Sequence, residues 1–165
     1  MKRIISRIFT LLAIAFVGIQ FFHPKGNLSN DQTNDISKKF LVPPTVQATL
    51  KTSCYDCHSN NTVYPWYSKI QPVDWWLNDH VQDGKGEVNF NEFASYSAGR
   101  QYRKFFEIGE QLEKGEMPLG SYTLIHKDAI INETQKSEVL AWVHAMRDSM
   151  KLHYPADSLK GKKPI

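Results

Sequence analysis

The sequence predicts an all-α fold. Three stretches place apolar residues at helical spacing: Val73, Trp76, Leu77, His80 and Val81; Tyr102, Phe105, Phe106, Gly109 and Leu112; and Val139, Trp142, Val143, Met146 and Met150. A stripe that returns every three to four residues buries one side of an α-helix. Breakers flank the stripes, with Val42-Pro43-Pro44 ahead of the first and ending whatever precedes it, and Gly115 closing the middle helix. Length allows a single domain of 165 residues with one small core.

Residues 1–25 carry Lys2, Arg3 and Arg7, followed by an apolar run from Ile8 to Phe22. Basic residues before an apolar run make an export signal. The bulky end Gln20-Phe21-Phe22-His23-Pro24 offers no small-residue cleavage site, so the segment is expected to stay as an N-terminal signal/anchor helix in the membrane. If cleaved, it releases an exported protein. The run is slightly shorter than the roughly 20 residues that span a bilayer, unless Ile4 and Ile5 extend it. Its basic end belongs in the cytoplasm, which puts the rest on the periplasmic side of a bacterial inner membrane.

Residues 26–38 are polar and read as a linker. Residues 39–152 hold the helical domain, and 153–165 read as a disordered tail. The alkaline balance comes from the N-terminus. Leaving out Lys2, Arg3, Arg7 and Lys25 reduces 20 basic residues to 16 against 17 acidic ones, a formal charge of −1. Nucleic-acid binding therefore has no electrostatic footprint on the domain.

After Pro44, Thr45 can cap a helix through Val46, Ala48 and Leu50. It runs into Cys54-Tyr55-Asp56-Cys57-His58, which holds the only two cysteines of the chain. Cys-x-x-Cys-His is the attachment pattern of c-type haem. Two thiols add to the two vinyl groups as thioethers, and the adjacent imidazole lies under the iron as an axial ligand. On a helical turn Cys54, Cys57 and His58 share one face. The motif thus points to one covalently held haem c, with Cys54 and Cys57 as attachment sites and His58 as proximal iron ligand. A dithiol oxidoreductase needs a lowered thiol pKa and a preceding strand, and no β-branched strand precedes Lys51-Thr52-Ser53. Structural zinc lacks a second ligand pair, and a disulfide closing so short a loop restrains little of the unfolded chain.

Ser59-Asn60-Asn61 is a turn. Pro72 suits the first turn of the next helix, and Trp66, Trp75 and Trp76 crowd into eleven residues around it. Trp75 and Trp76 are expected to pack on a porphyrin edge, and His80 is an alternative distal iron ligand. Asp83 to Phe93 has only part of a calcium loop, with Val81 and Lys85 where oxygen ligands are needed, and reads as a turn before a capped helix.

Ser97 to Glu113 forms a helix with Arg103, Lys104, Glu107, Glu110 and Glu113 outside. Beyond Gly115, Met117 sits in a loop held by Pro118, off any helical stripe. A thioether on a loop of fixed shape is what a His/Met cytochrome needs, so Met117 is the distal iron ligand expected here. Leu119 to Ile131 is a loop with Tyr122 and His126. Glu133 to Met150 forms the last helix, packed against the helix that enters the cysteine motif, with His144 facing solvent.

The chain resembles the bacterial haem-binding domain family, exported c-type cytochrome-like proteins that are often membrane-anchored. The likeness runs from Lys39 to Met150 and rests on Cys54-x-x-Cys57-His58-Ser59-Asn60, Pro65-Trp66-Tyr67, Pro72-Val73-x-Trp75-Trp76, His80-Val81, Asn89-Phe90, Gly115-Glu116-Met117-Pro118, Tyr122 and Trp142. It implies a fold like that of small class I cytochromes c, with Cys54 and Cys57 as thioether sites, His58 as proximal ligand and Met117 at the Met-Pro position. The expected role is single-electron transfer with redox partner proteins, as a carrier and not a catalyst. The rivals are a small haem peroxidase or gas sensor, using His80 or His126 in an open distal site, and a haem-free dithiol oxidoreductase.

Overall fold

Helices form where the apolar stripes lie. The computed structural model describes residues 1–160 and contains α1 (Lys2–Ile19), α2 (Pro44–Ser53), α3 (Tyr55–His58), α4 (Val73–Glu87), α5 (Ala98–Lys114), α6 (Gly120–Thr123) and α7 (Glu133–His153), joined by loops and short 3-10 turns. The described residues include no strand, only an isolated bridge between Leu28 and Asn61.

The core lies between α2, α5 and α7. Val46 and Leu50 of α2, Phe105 and Leu112 of α5, and Val139, Trp142, Val143 and Met150 of α7 are all buried. Phe105 meets Trp142 edge to face at 5.4 Å and Phe40 at 5.0 Å, a geometry that aromatic quadrupoles favour. Helix α7 starts on a capping box, Asn132 accepting from the Gln135 N–H while the Gln135 side chain accepts from the Asn132 N–H. Helix α5 has Ser97 as its cap and ends at Gly115, whose φ of 68° lies in the left-handed region that glycine enters freely.

Several sequence expectations change. Thr45 caps nothing: Pro43 takes the cap position and Pro44 opens α2. Helix α4 does not stop at Asp83 but runs through Gly84 and Gly86 to Glu87. The middle helix has the expected stripe with two exceptions, for Phe106 is 48 % exposed and Lys104, placed outside by its charge, is 5 % exposed. The 119–131 loop contains α6. His144 faces solvent.

The two polar flanks are also part of the packed body. In 26–38, Asn27, Asp35 and Ile36 are buried. Asn27 donates through Nδ2 to the Ser59 carbonyl at 2.9 Å, and the Asp35 carboxylate accepts from Asn91 Nδ2 at 2.7 Å. Buried amides and carboxylates need such partners, and low hydropathy alone does not reveal them. Beyond α7, Tyr154 and Leu159 pack against the core, while 161–165 of the expected tail lie outside the described residues.

Helix α1 is exposed from Lys2 to Gly18. Its C-terminal end is joined to the start of α4, with Gln20 and Gln71 exchanging hydrogen bonds between side chain and backbone (3.0 and 3.2 Å) and Trp75 Nε1 donating to the Phe22 carbonyl at 2.8 Å. Among the described residues, no helix is long and apolar enough to cross a membrane.

Candidate functional site

The cysteine motif straddles the end of α2 and the single turn α3. Cys54 leaves α2 as its cap, and the His58 N–H donates to the Cys54 carbonyl at 2.9 Å, closing one helical turn around the motif. Cys54, Cys57 and His58 thereby open onto one cavity of about 640 Å³, within the roughly 300–1,000 Å³ of small-molecule sites. Leu50, Val88, Phe90, Leu112 and Val139 give it apolar walls, and Met117 and Pro118 line it as well.

His58 is set by its backbone surroundings. Its Nδ1 lies 2.8 Å from the Gly84 carbonyl and 3.0 Å from that of Val88, so Nδ1 carries the proton and Nε2 keeps its lone pair. Burial holds the imidazole below its ordinary range, while the two carbonyls pull it back up. Helix α4 reaches this close because residue 84 is glycine: a Cβ there would stand 2.8 Å from the Cys57 carbonyl oxygen and 3.1 Å from the Cys57 Cβ. The far side of the motif is fixed by Phe90, whose N–H donates to the His58 carbonyl at 2.8 Å and whose ring stacks on Tyr55 at 5.2 Å.

Both cysteines are free thiols with raised pKa values. Burial pushes Cys54 up to about 12, and burial together with the Asp56 charge pushes Cys57 up to about 11. A redox dithiol needs the opposite shift. Alkylation of the folded, haem-free protein at pH 8 is therefore expected to run slower than that of a free cysteine by roughly a hundredfold at Cys57 and a thousandfold at Cys54, two and three decades of thiolate population. Iodoacetamide labelling followed by mass spectrometry checks this, and labelling at the free-thiol rate would contradict the burial described.

Other expected residues divide. His80 lines the cavity, with Nδ1 2.8 Å from the Trp76 carbonyl and its ring 4.2 Å from that of Trp76. Trp75 and Trp76, expected to pack on the cofactor, are not among the cavity-lining residues and are 37 % and 48 % exposed; Trp75 is turned towards the end of α1, while Trp76 flanks His80 at the rim. His126 is also away from it, stacked on Tyr122 at 4.3 Å with Nε2 3.3 Å from the Tyr67 hydroxyl. The aromatic count around Pro72 suggested a cofactor wall, but Trp66, Trp75 and Trp76 are all exposed and none lines the cavity.

Two features had no clear signal in the sequence. Lys104 stands in the cavity wall with Nζ 3.0 Å from Glu87 and 2.6 Å from Glu107; an ammonium this buried needs such partners. Tyr122 donates to the Asp56 carboxylate at 2.7 Å, and both residues line the cavity.

A helical protein with an apolar cavity that gathers two thiols, an imidazole with a free Nε2 and a thioether is built to hold a metal-centred macrocycle, and these donors fit haem. The family model described as Haem-binding domain matches residues 14–145, and the chain belongs to that family. No match was found among curated proteins or solved structures.

Proposed function

We propose that the protein is a monohaem c-type cytochrome that passes single electrons outside the cytoplasmic membrane, with a fold of the small class I cytochrome c kind. The observation that carries this reading is the placement of Cys54, Cys57, His58 and Met117 around one apolar cavity. Bound there, haem supplies a one-electron couple between ferric and ferrous iron.

The chain's own residues do the rest. Cys54 and Cys57 would tether the group through thioethers. His58, its ring oriented by the Gly84 and Val88 carbonyls, would offer Nε2 to the iron. Met117, on the loop behind α5, would offer its thioether as the second ligand. Leu50, Val88, Phe90, Leu112 and Val139 exclude water, which lowers the local dielectric and limits reorganisation on electron transfer. The N-terminal segment, with Lys2, Arg3 and Arg7 ahead of its apolar run, acts as an export signal that either stays as an anchor or is cleaved, and redox partner proteins meet the domain on the periplasmic side.

His80 favours one second reading, a ligand-binding haem protein with an open distal site, because it reaches the same cavity. Carbon monoxide separates the two. The reduced protein is expected to keep a six-coordinate low-spin spectrum under carbon monoxide, whereas rapid formation of a carbonyl complex would replace the carrier with the ligand-binding reading.

A further inference from the structure

The distal loop has few ties to the rest of the molecule. Between Gly115 and the buried Ala129, no residue is fully buried, and Leu124 and Ile125 are exposed. Helix α6 is bonded mainly within itself, through Tyr122, Thr123 and Leu124 N–H groups to carbonyls at Leu119 and Gly120. At one end Glu116 N–H donates to the Gln111 carbonyl, and at the other His126 meets the Tyr67 hydroxyl. One hydrogen bond joins this loop to the cysteine motif: Tyr122 to Asp56, across 66 residues of chain.

Asp56 is well placed to hold it. It lies between the two cysteines, its other carboxylate oxygen accepts from the Val63 N–H at 3.1 Å, and its backbone carbonyl accepts from Thr62 Oγ1 at 2.6 Å. The carboxylate is thus fixed on the wall that bears the cysteines. Tyr122 is five residues after Met117, and both line the cavity.

We infer that the Tyr122–Asp56 hydrogen bond is the latch that holds the Met117 loop closed on the haem, so that Tyr122 is a positioning residue for the distal ligand. This rests on Met117 being that ligand. Burial and the Asp56 carboxylate both raise the Tyr122 pKa, so the phenol keeps the proton that the latch needs. A hydrogen bond to a charged acceptor shifts a two-state equilibrium by roughly ten- to a hundredfold, and loss of the latch raises the open population by that factor.

The test compares holoprotein with Tyr122→Phe, Asp56→Asn and Met117→Leu. The readouts are the sulfur-to-iron charge-transfer band of the ferric form and the rate of carbon monoxide binding to the ferrous form. Tyr122→Phe retains the ring and its stacking on His126, so folding is preserved while only the hydroxyl is lost. The expected result is a weakened band and carbon monoxide binding faster by roughly ten- to a hundredfold in Tyr122→Phe. Asp56→Asn, which still offers a neutral acceptor, lies between it and the native protein. Met117→Leu defines the fully open limit. A native band and rate in Tyr122→Phe, beside a changed Met117→Leu, overturn the latch alone. No change in Met117→Leu overturns the ligand assignment and the latch with it.

Discussion

Gly84→Ala is expected to destabilise the protein and impair haem loading, although alanine is the better helix former by about 1 kcal/mol. The added Cβ meets Cys57 backbone at 2.8 Å, and backbone cannot rotate away as a side-chain tip can. Helix α4 must retreat from α3, an overpacking cost of about 1–3 kcal/mol. The retreat also lengthens the contact between the Gly84 carbonyl and His58 Nδ1, so the imidazole loses part of its orientation. Gly86→Ala supplies the contrast, since nothing lies within 4 Å of its Cβ position; there the propensity gain of up to about 1 kcal/mol is expected to appear uncompensated. Urea unfolding and haem content of the two variants check this pair. Equal stability gains in both would mean that α3 and α4 are less closely packed than described.

Met117→Leu is expected to keep the covalent haem but change everything at the open side of the iron. Leucine fills the space left by the methionine, so the fold is retained, with a volume-conserving swap costing under about 1.5 kcal/mol. Without the thioether, the ferric spectrum moves towards high spin and the reduced form binds carbon monoxide. The reduction potential falls by a sizeable fraction of the ~0.8 V span that axial ligands control, because a thioether favours the ferrous state. Optical spectra and a redox titration read both effects. An unchanged spectrum in a fully loaded variant would transfer the distal role elsewhere, with His80 the residue that shares the cavity.

Cys54, Cys57, His58 and Met117 line one cavity; they were singled out because local spacing and a position off the helical stripe can be read without knowing the fold. The long helices were legible because burial repeats with the helical period, and α5 and α7 begin within one residue of their expected starts. What could not be read were relations across the chain. Lys104 looked solvent-facing because a charge on a helix usually is; only the approach of Glu87 and Glu107 makes its burial tolerable. The 26–38 stretch looked like a linker because, Ile36 apart, its buried groups are asparagine and aspartate, whose partners Ser59 and Asn91 are distant in sequence. Gly84 resembled a turn residue, while its actual reason is the Cys57 backbone beside it. Trp75 and Trp76 were drawn to the cofactor by composition, yet Trp75 bonds to the Phe22 carbonyl and Trp76 packs on His80, and neither lines the cavity.

The central claim is that haem is bound covalently through Cys54 and Cys57. A denaturing gel stained for haem peroxidase activity tests it most directly, run on full-length protein exported from cells with c-type haem maturation, beside Cys54→Ala/Cys57→Ala. A stained band at the size of the native chain, absent from the double variant, is the predicted result. An unstained band from well-expressed, matured native protein would contradict it.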